Sequence, residues 1–272
     1  MMSIWTEIRR QASRRRTQIA LALMVALPLV VLVAFQLDRG DNHRNGGGQF
    51  SQYATLATTG GLNFALFTLL VSAGFLLVVV VALFCGDTVA SEASWGSLRY
   101  LLAMPVPRAR LLGVKLVVAL AYCVAALVLL TGTALAAGTV RYGWNPLRPP
   151  IGAELSPADG SLRLLGVVGY LAVTLLVVAA MAFLLSVSTD AALGAVGGAV
   201  LLFIVSSILD QITALGDLRT VLPTHYSEAW LGLLTDPPQV DDVVRGGVSA
   251  LLYTGLFLAL AWWRFLRKDI VS

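Results

Sequence analysis

The sequence predicts an all-α integral membrane protein with six spans, an N-terminal amphipathic surface helix and a polar loop between spans two and three. Three observations carry that prediction. Mean hydropathy is +0.83, and only 12% of the 272 residues are charged, against about 25% in a soluble domain. The apolar residues fall in runs near the ~20 residues that a helix needs to cross hydrocarbon. The charges cluster at the ends of those runs, as membrane topology requires, rather than in one stripe fit for nucleic acid.

Residues 1–17 precede the first span. Met1, Ile4, Trp5, Ile8 and Ala12 fall on one arc of roughly 100° at helical pitch, with Thr6, Glu7, Arg9, Arg10, Ser13 and Arg14 on the rest. Such a helix lies along a membrane surface with its Trp at headgroup depth. The spans follow at about 18–37, 63–85, 116–140, 164–187, 191–209 and 247–263, the last being the shortest. Pro28 predicts a kink in the first. That run, starting at Ile19, exceeds an ordinary signal h-region and has no A-x-A site after it, so it reads as a retained span.

Lys and Arg in the connections set the orientation. One side holds Arg9, Arg10, Arg14, Arg15, Arg16, Arg99, Arg108, Arg110, Arg264, Arg267 and Lys268. The other holds Arg39, Arg44, Arg141, Arg148, Arg219 and Arg245. The excess on the first side places both termini and the loop 86–115 in the cytoplasm.

The outer connections differ in character. Asp38 to Gln49 is polar and Gly-rich and reads as a mobile loop. Ser156 followed by Pro157 reads as an N-cap with Pro at the first helical position, starting a short helix before span four. In the last outer connection, Tyr226, Ala229, Trp230, Leu233 and Leu234 keep i, i+3, i+4, i+7, i+8 spacing until Asp236-Pro237-Pro238. That pattern predicts a short amphipathic helix at the outer surface or dipping into it.

Several chemistries lack their residues. The spans carry no interior charge once Lys115 and Arg163 are placed at span ends, whereas ion-coupled carriers commonly need a buried acid or His. No G-x-x-x-x-G-K-[ST] occurs, so a pump of this shape needs energy from outside the chain. His225, with Ser227, Glu228, Asp210 and Asp217 nearby in sequence, has no nucleophile elbow and reads as an interfacial His. His43 reads as solvated, and Cys85 and Cys123 read as buried thiols; the four make no metal site of recognised spacing. Gly194 and Gly198 form a GxxxG pair, with Ala195 and Ala199 parallel to it, and either permits close helix approach.

The loop 86–115 remains. It holds Asp87 and Glu92, a Gly96 break, the apolar set Leu98, Leu101 and Leu102, the helix-stopping Met104-Pro105-Val106-Pro107, then Arg108, Arg110 and Lys115. Here the chain resembles the permease subunits of type-2 ABC exporters. Their corresponding loop carries Glu, Gly-[ST]-Leu, two apolar residues, a Pro turn, Arg and Gly-x-Lys. In this chain those stand as Glu92, Gly96-Ser97-Leu98, Leu101-Leu102, Pro105, Arg108 and Gly113-Val114-Lys115. The family's basic residue soon after the Glu is replaced by Ala93-Ser94.

The resemblance implies a cytoplasmic coupling helix seated in a cleft of a separate cytosolic ABC ATPase subunit. Leu98, Leu101 and Leu102 would supply its apolar contact, and Glu92, Arg99 and Arg108 its orientation. It also implies a second permease copy or paralogue, ATP and Mg bound by the partner with no cofactor in this chain, and a prokaryotic cytoplasmic membrane. The cargo would be an amphipathic or hydrophobic drug, antibiotic or lipid. Within the chain, Glu92 is expected to pair with Arg9, Arg10 or Arg14 of the surface helix. Two other readings are a stand-alone secondary carrier or channel, and a non-transport membrane scaffold that binds an ATPase.

Overall fold

The computed structural model describes residues 4–37, 49–94, 107–149 and 154–267, and these are helical almost throughout. The helices are α1 (Ile4–Ala12), α2 (Arg15–Leu37), α3 (Gln49–Ala57), α4 (Gly61–Ala73), α5 (Leu76–Ser94), α6 (Arg108–Tyr142), α7 (Pro157–Ser188), α8 (Ala192–Gln211) and α9 (Asp241–Arg267). Two 3-10 segments, Thr213–Val221 and Ala229–Leu234, lie between α8 and α9. Six of the helices, α2 and α5 to α9, are long and apolar enough to cross a membrane.

The boundaries depart from the sequence expectation in physically sensible ways. The second span is two helices, α4 and α5, with Gly74-Phe75 between them. Gly74 keeps a right-handed helical conformation, and Val79 N–H still bonds Phe75 C=O at 2.9 Å, so the chain direction carries on. More important, α5 does not stop at Cys85 but runs nine residues further, to Ser94. Gly86 to Ser94, expected as loop, is helix, because its carboxylates meet cations supplied by other elements.

Pro107 stands just before α6, its carbonyl accepting from Arg110 and Leu111 N–H at 2.9 and 3.2 Å. Gly96, Leu98, Arg99, Leu101, Leu102 and Pro105 lie outside the described residues.

Ser156 caps α7 as expected, its Oγ accepting from Asp159 N–H at 3.1 Å with Pro157 at the first helical position. The expected short leading helix is simply the first turns of α7, since no breaker separates Pro157 from the apolar run. The sixth span is longer than its apolar stretch, because its polar first turn and basic last turn complement the helix dipole. Pro28 sits, buried, inside a continuous α2. Most of Asp38–Gln49 lies outside the described residues; Gln49 begins α3, a helix the Gly-rich composition did not announce.

The six helices do not contribute equally. Seventy-eight per cent of the most apolar window of α5 is buried, against 17% for α2 and α8 and 11% for α9. So α5 is the central post, with α6, α7 and α8 packed on it. Leu, Val and Ile on α2, α8 and α9, including Leu29, Leu201 and Leu252, face outward. Apolar exposure on this scale is incompatible with water and fits lipid.

Glycines set two helix crossings. A Cβ on Gly61 of α4 would fall 2.7 Å from Thr139 N, and one on Gly138 of α6 would fall 3.0 Å from Gly61 Cα. A Cβ on Gly86 of α5 would fall 2.9 Å from Val196 Cγ2 and 3.2 Å from Val196 N of α8. On α8 the packed small residues are Ala195 and Ala199, both fully buried, whereas Gly194 is exposed. Cys85 and Cys123 are free thiols with Sγ atoms 3.9 Å apart, joining α5 to α6.

Candidate functional site

Two polar features stand at opposite ends of the helices. The first joins α1, the start of α2, the end of α5 and the start of α6. Its arrangement follows from the faces of α1. Ile4 and Trp5 are exposed, while Glu7 and Gln11 are the buried residues of that helix. Ile4, Trp5 and Ala12 of the apolar arc therefore face outward and Ile8 packs on the core, while Glu7 and Gln11 of the polar side turn into the protein.

Four cations and three anions meet there. Lys115, 2% exposed, lies 2.6 Å from Glu92 Oε1 and 3.5 Å from Glu7 Oε1. Its Nζ also approaches Thr88 C=O at 3.4 Å. Arg10 bonds the same Glu92 oxygen and lies 3.8 Å from Glu7. One turn away, Asp87 accepts from Arg14 at 2.8 Å and Arg16 at 2.9 Å. Arg14 also reaches Ser91 Oγ at 3.4 Å. Tyr122 of α6 donates to Ile8 C=O at 2.8 Å, fixing the backbone of α1. On the far side of α5, Ser186 Oγ of α7 accepts from Val89 and Ala90 N–H, both at 3.0 Å.

A buried charge is tolerable only when paired and hydrogen-bonded, and here each carboxylate has two cationic partners. The result is a clamp. The C-terminal turns of α5 and the N-terminal turns of α6, the two helices that flank residues 95–106, are tied to each other and to α1.

The expected residues distribute as follows. Glu92 lies at the heart of the cluster and meets Arg10; Arg14 meets Asp87 instead; Arg9 is exposed on α1. Arg108 is the first residue of α6. Sequence reasoning placed Lys115 at a span end and left Glu7 and Asp87 without partners. The available signal was spacing: Asp87 and Ser91 stand one helical turn apart, with Glu92 beside them.

The second feature is built from the segment between α8 and α9. The expected amphipathic helix over 226–234 is a run of turns followed by the 3-10 segment Ala229–Leu234. Trp230 and Leu234 are buried, Leu233 is half-buried and Tyr226 lies in the turns. The regular helix is lost because side chains of α7 take up the backbone polar groups. Tyr170 donates to Tyr226 C=O at 2.6 Å, and Arg163 donates to Leu233 and Thr235 C=O at 2.7 and 2.5 Å.

His225 Nδ1 lies 2.6 Å from Asp210 Oδ1 at the end of α8, and Ser206 meets Thr224 at 2.8 Å. Asp217 is exposed on the other 3-10 segment, away from that pair. Beneath the segment lies a cavity of about 430 Å³.

Six membrane-length helices with lipid-compatible outer faces define a multi-pass, all-α transmembrane protein. The chain belongs to a family described as a protein of unknown function (DUF2705), whose family model matches residues 29–271. No curated protein matches the chain.

Proposed function

We propose that this protein is the membrane-spanning permease subunit of an ATP-driven exporter of the ABC type, moving an amphipathic or hydrophobic substrate outward. A separate cytosolic ATPase subunit binds ATP and Mg and docks on the coupling segment around Gly96–Pro105. A second permease copy or paralogue completes the path, its contact made through outward apolar faces such as those of α2 or α8. Both termini lie in the cytoplasm of a prokaryote, and α1 lies in the inner leaflet surface with Trp5 at headgroup depth.

The observation that carries the reading is the clamp in which buried Glu92, Lys115 and Glu7 meet Arg10 of α1. A motor pushing on residues 95–106 needs a stiff lever to work against. The clamp joins both flanking helices and α1 into one body at the end richest in Lys and Arg. Force applied there moves α5, and α5 carries α6, α7 and α8. The motif resemblance around Glu92 and Leu101-Leu102 names the kind of motor.

The test is direct. Leu101→Asp with Leu102→Asp should release a co-purifying ATPase and leave the permease folded, and reconstituted vesicles should show cargo-dependent ATP hydrolysis only with the unaltered pair. Retained ATPase binding with unaltered turnover in the double variant would sink the coupling role.

A further inference from the structure

A cavity at the end opposite α1 has both apolar and charged walls. Helices α8 and α9 each pack on α7 and make little contact with each other, which leaves a cleft between them. The segment 222–230 covers it. The deeper wall is apolar, formed by residues such as Leu70, Leu171, Leu175 and Val178. At the covered end stand Asp210, His225, Tyr226 and Glu228.

Volume and chemistry together narrow what could bind. Sites for drug-sized molecules measure roughly 300–1,000 Å³, with apolar walls and a few placed polar groups, and about 430 Å³ falls within that range. Two lining side chains, Asp210 and Glu228, are carboxylates, and among the described residues no Lys or Arg lines the wall. Asp210 meets His225 at 2.6 Å and Arg219, which lies outside the lining, at 3.8 Å. Tyr226 and Trp230 add aromatic surface, which attracts cations by its ring quadrupole. An anion would meet two carboxylates there. A neutral apolar molecule would leave the charged end unused.

We propose that this cavity is a binding site, within a single subunit, for an amphipathic organic cation: an apolar body with one ammonium- or phosphonium-type charge. The apolar body occupies the wall formed by α4 and α7, and the charge faces Glu228 and Asp210. That such a cation is cargo rests on the exporter reading; its binding does not.

The experiment uses the purified full chain in lipid nanodiscs without any ATPase, with empty nanodiscs as background. Radiolabelled tetraphenylphosphonium is the probe, and tetraphenylborate, of nearly the same shape and opposite charge, is the competitor. Saturable binding of one cation per chain is expected, undisplaced by the borate. Glu228→Gln should weaken it about threefold, the scale of one partly exposed charge pair. Ser249→Phe, which fills the cavity, should abolish it.

Absence of saturable binding, equal displacement by the borate, or unaltered affinity in either variant would overturn the proposal. Glu228 is exposed, so its variant keeps the test decisive should Ser249→Phe fail to fold. A failure here leaves the ATPase-docking result of the Leu101/Leu102 variant untouched, and the reverse also holds.

Discussion

The two ends of the molecule handle polarity in opposite ways. At the α1 end, three carboxylates and four cations interlock around the helix ends, and Glu7, Glu92 and Lys115 are almost fully excluded from solvent. At the other end, Tyr170 and Arg163 hold a backbone that is not regular helix, through bonds to its carbonyls, above a recess. The first arrangement resists change, since breaking one buried pair strands another charge. The second is a cover held by separate contacts from Tyr170 and Arg163 rather than by an interlocked set of buried charges. On the proposed reading, the protein is stiff where it would receive force and yielding where a ligand would lie.

Substitutions can break or sharpen that contrast. Glu92→Lys places a further cation against Lys115 and Arg10 and is expected to have the largest effect, at the top of the roughly 3–5 kcal/mol range for a broken buried pair. Arg10→Glu in the same chain should restore part of it, read as a coupling energy in a double-mutant cycle of denaturation midpoints. An uncoupled pair would mean that the contact is incidental.

Lys115→Met comes next, at about 3 kcal/mol, because it removes the buried cation that both Glu7 and Glu92 meet. Gly86→Val should follow, at about 1–3 kcal/mol of overpacking against Val196. Thermal melting in detergent measures both.

Tyr170→Phe should be smallest. It removes one hydrogen bond to Tyr226 C=O at a cost near 0.6–1.5 kcal/mol. A Tyr170→Phe loss equal to that of Lys115→Met would erase the distinction between clamp and cover.

Much of the framework was legible in the residues. The apolar runs gave the class and the approximate spans, and Ser156-Pro157 gave a cap that exists with the expected bond. What could not be read were features decided by partners distant in sequence. Asp87 and Glu92 look like loop residues until Arg10, Arg14, Arg16 and Lys115 are brought beside them. Hydropathy alone therefore ends the second span nine residues early.

The same cause hid the inward turn of Glu7, since an amphipathic pattern tells which residues share a face and not which face meets protein. The 226–234 pattern was helical in period, yet Tyr170 and Arg163 draw its carbonyls away from an α-helical ladder. The GxxxG pair was visible, but the neighbouring alanines are what pack.

Cys85 and Cys123 acquire a use from their positions. They are the only two cysteines in the chain, their sulfurs lie 3.9 Å apart, and they sit on α5 and α6, the two arms leading from residues 95–106. The protein thus carries an unengineered ruler across its proposed lever. Bifunctional thiol reagents of graded span, applied with and without an ATPase and nucleotide, would convert any sliding of one arm past the other into a change in which reagent bridges them. Rigid rotation of the two arms together would leave the reading constant, so the same pair of atoms separates shear from tilt.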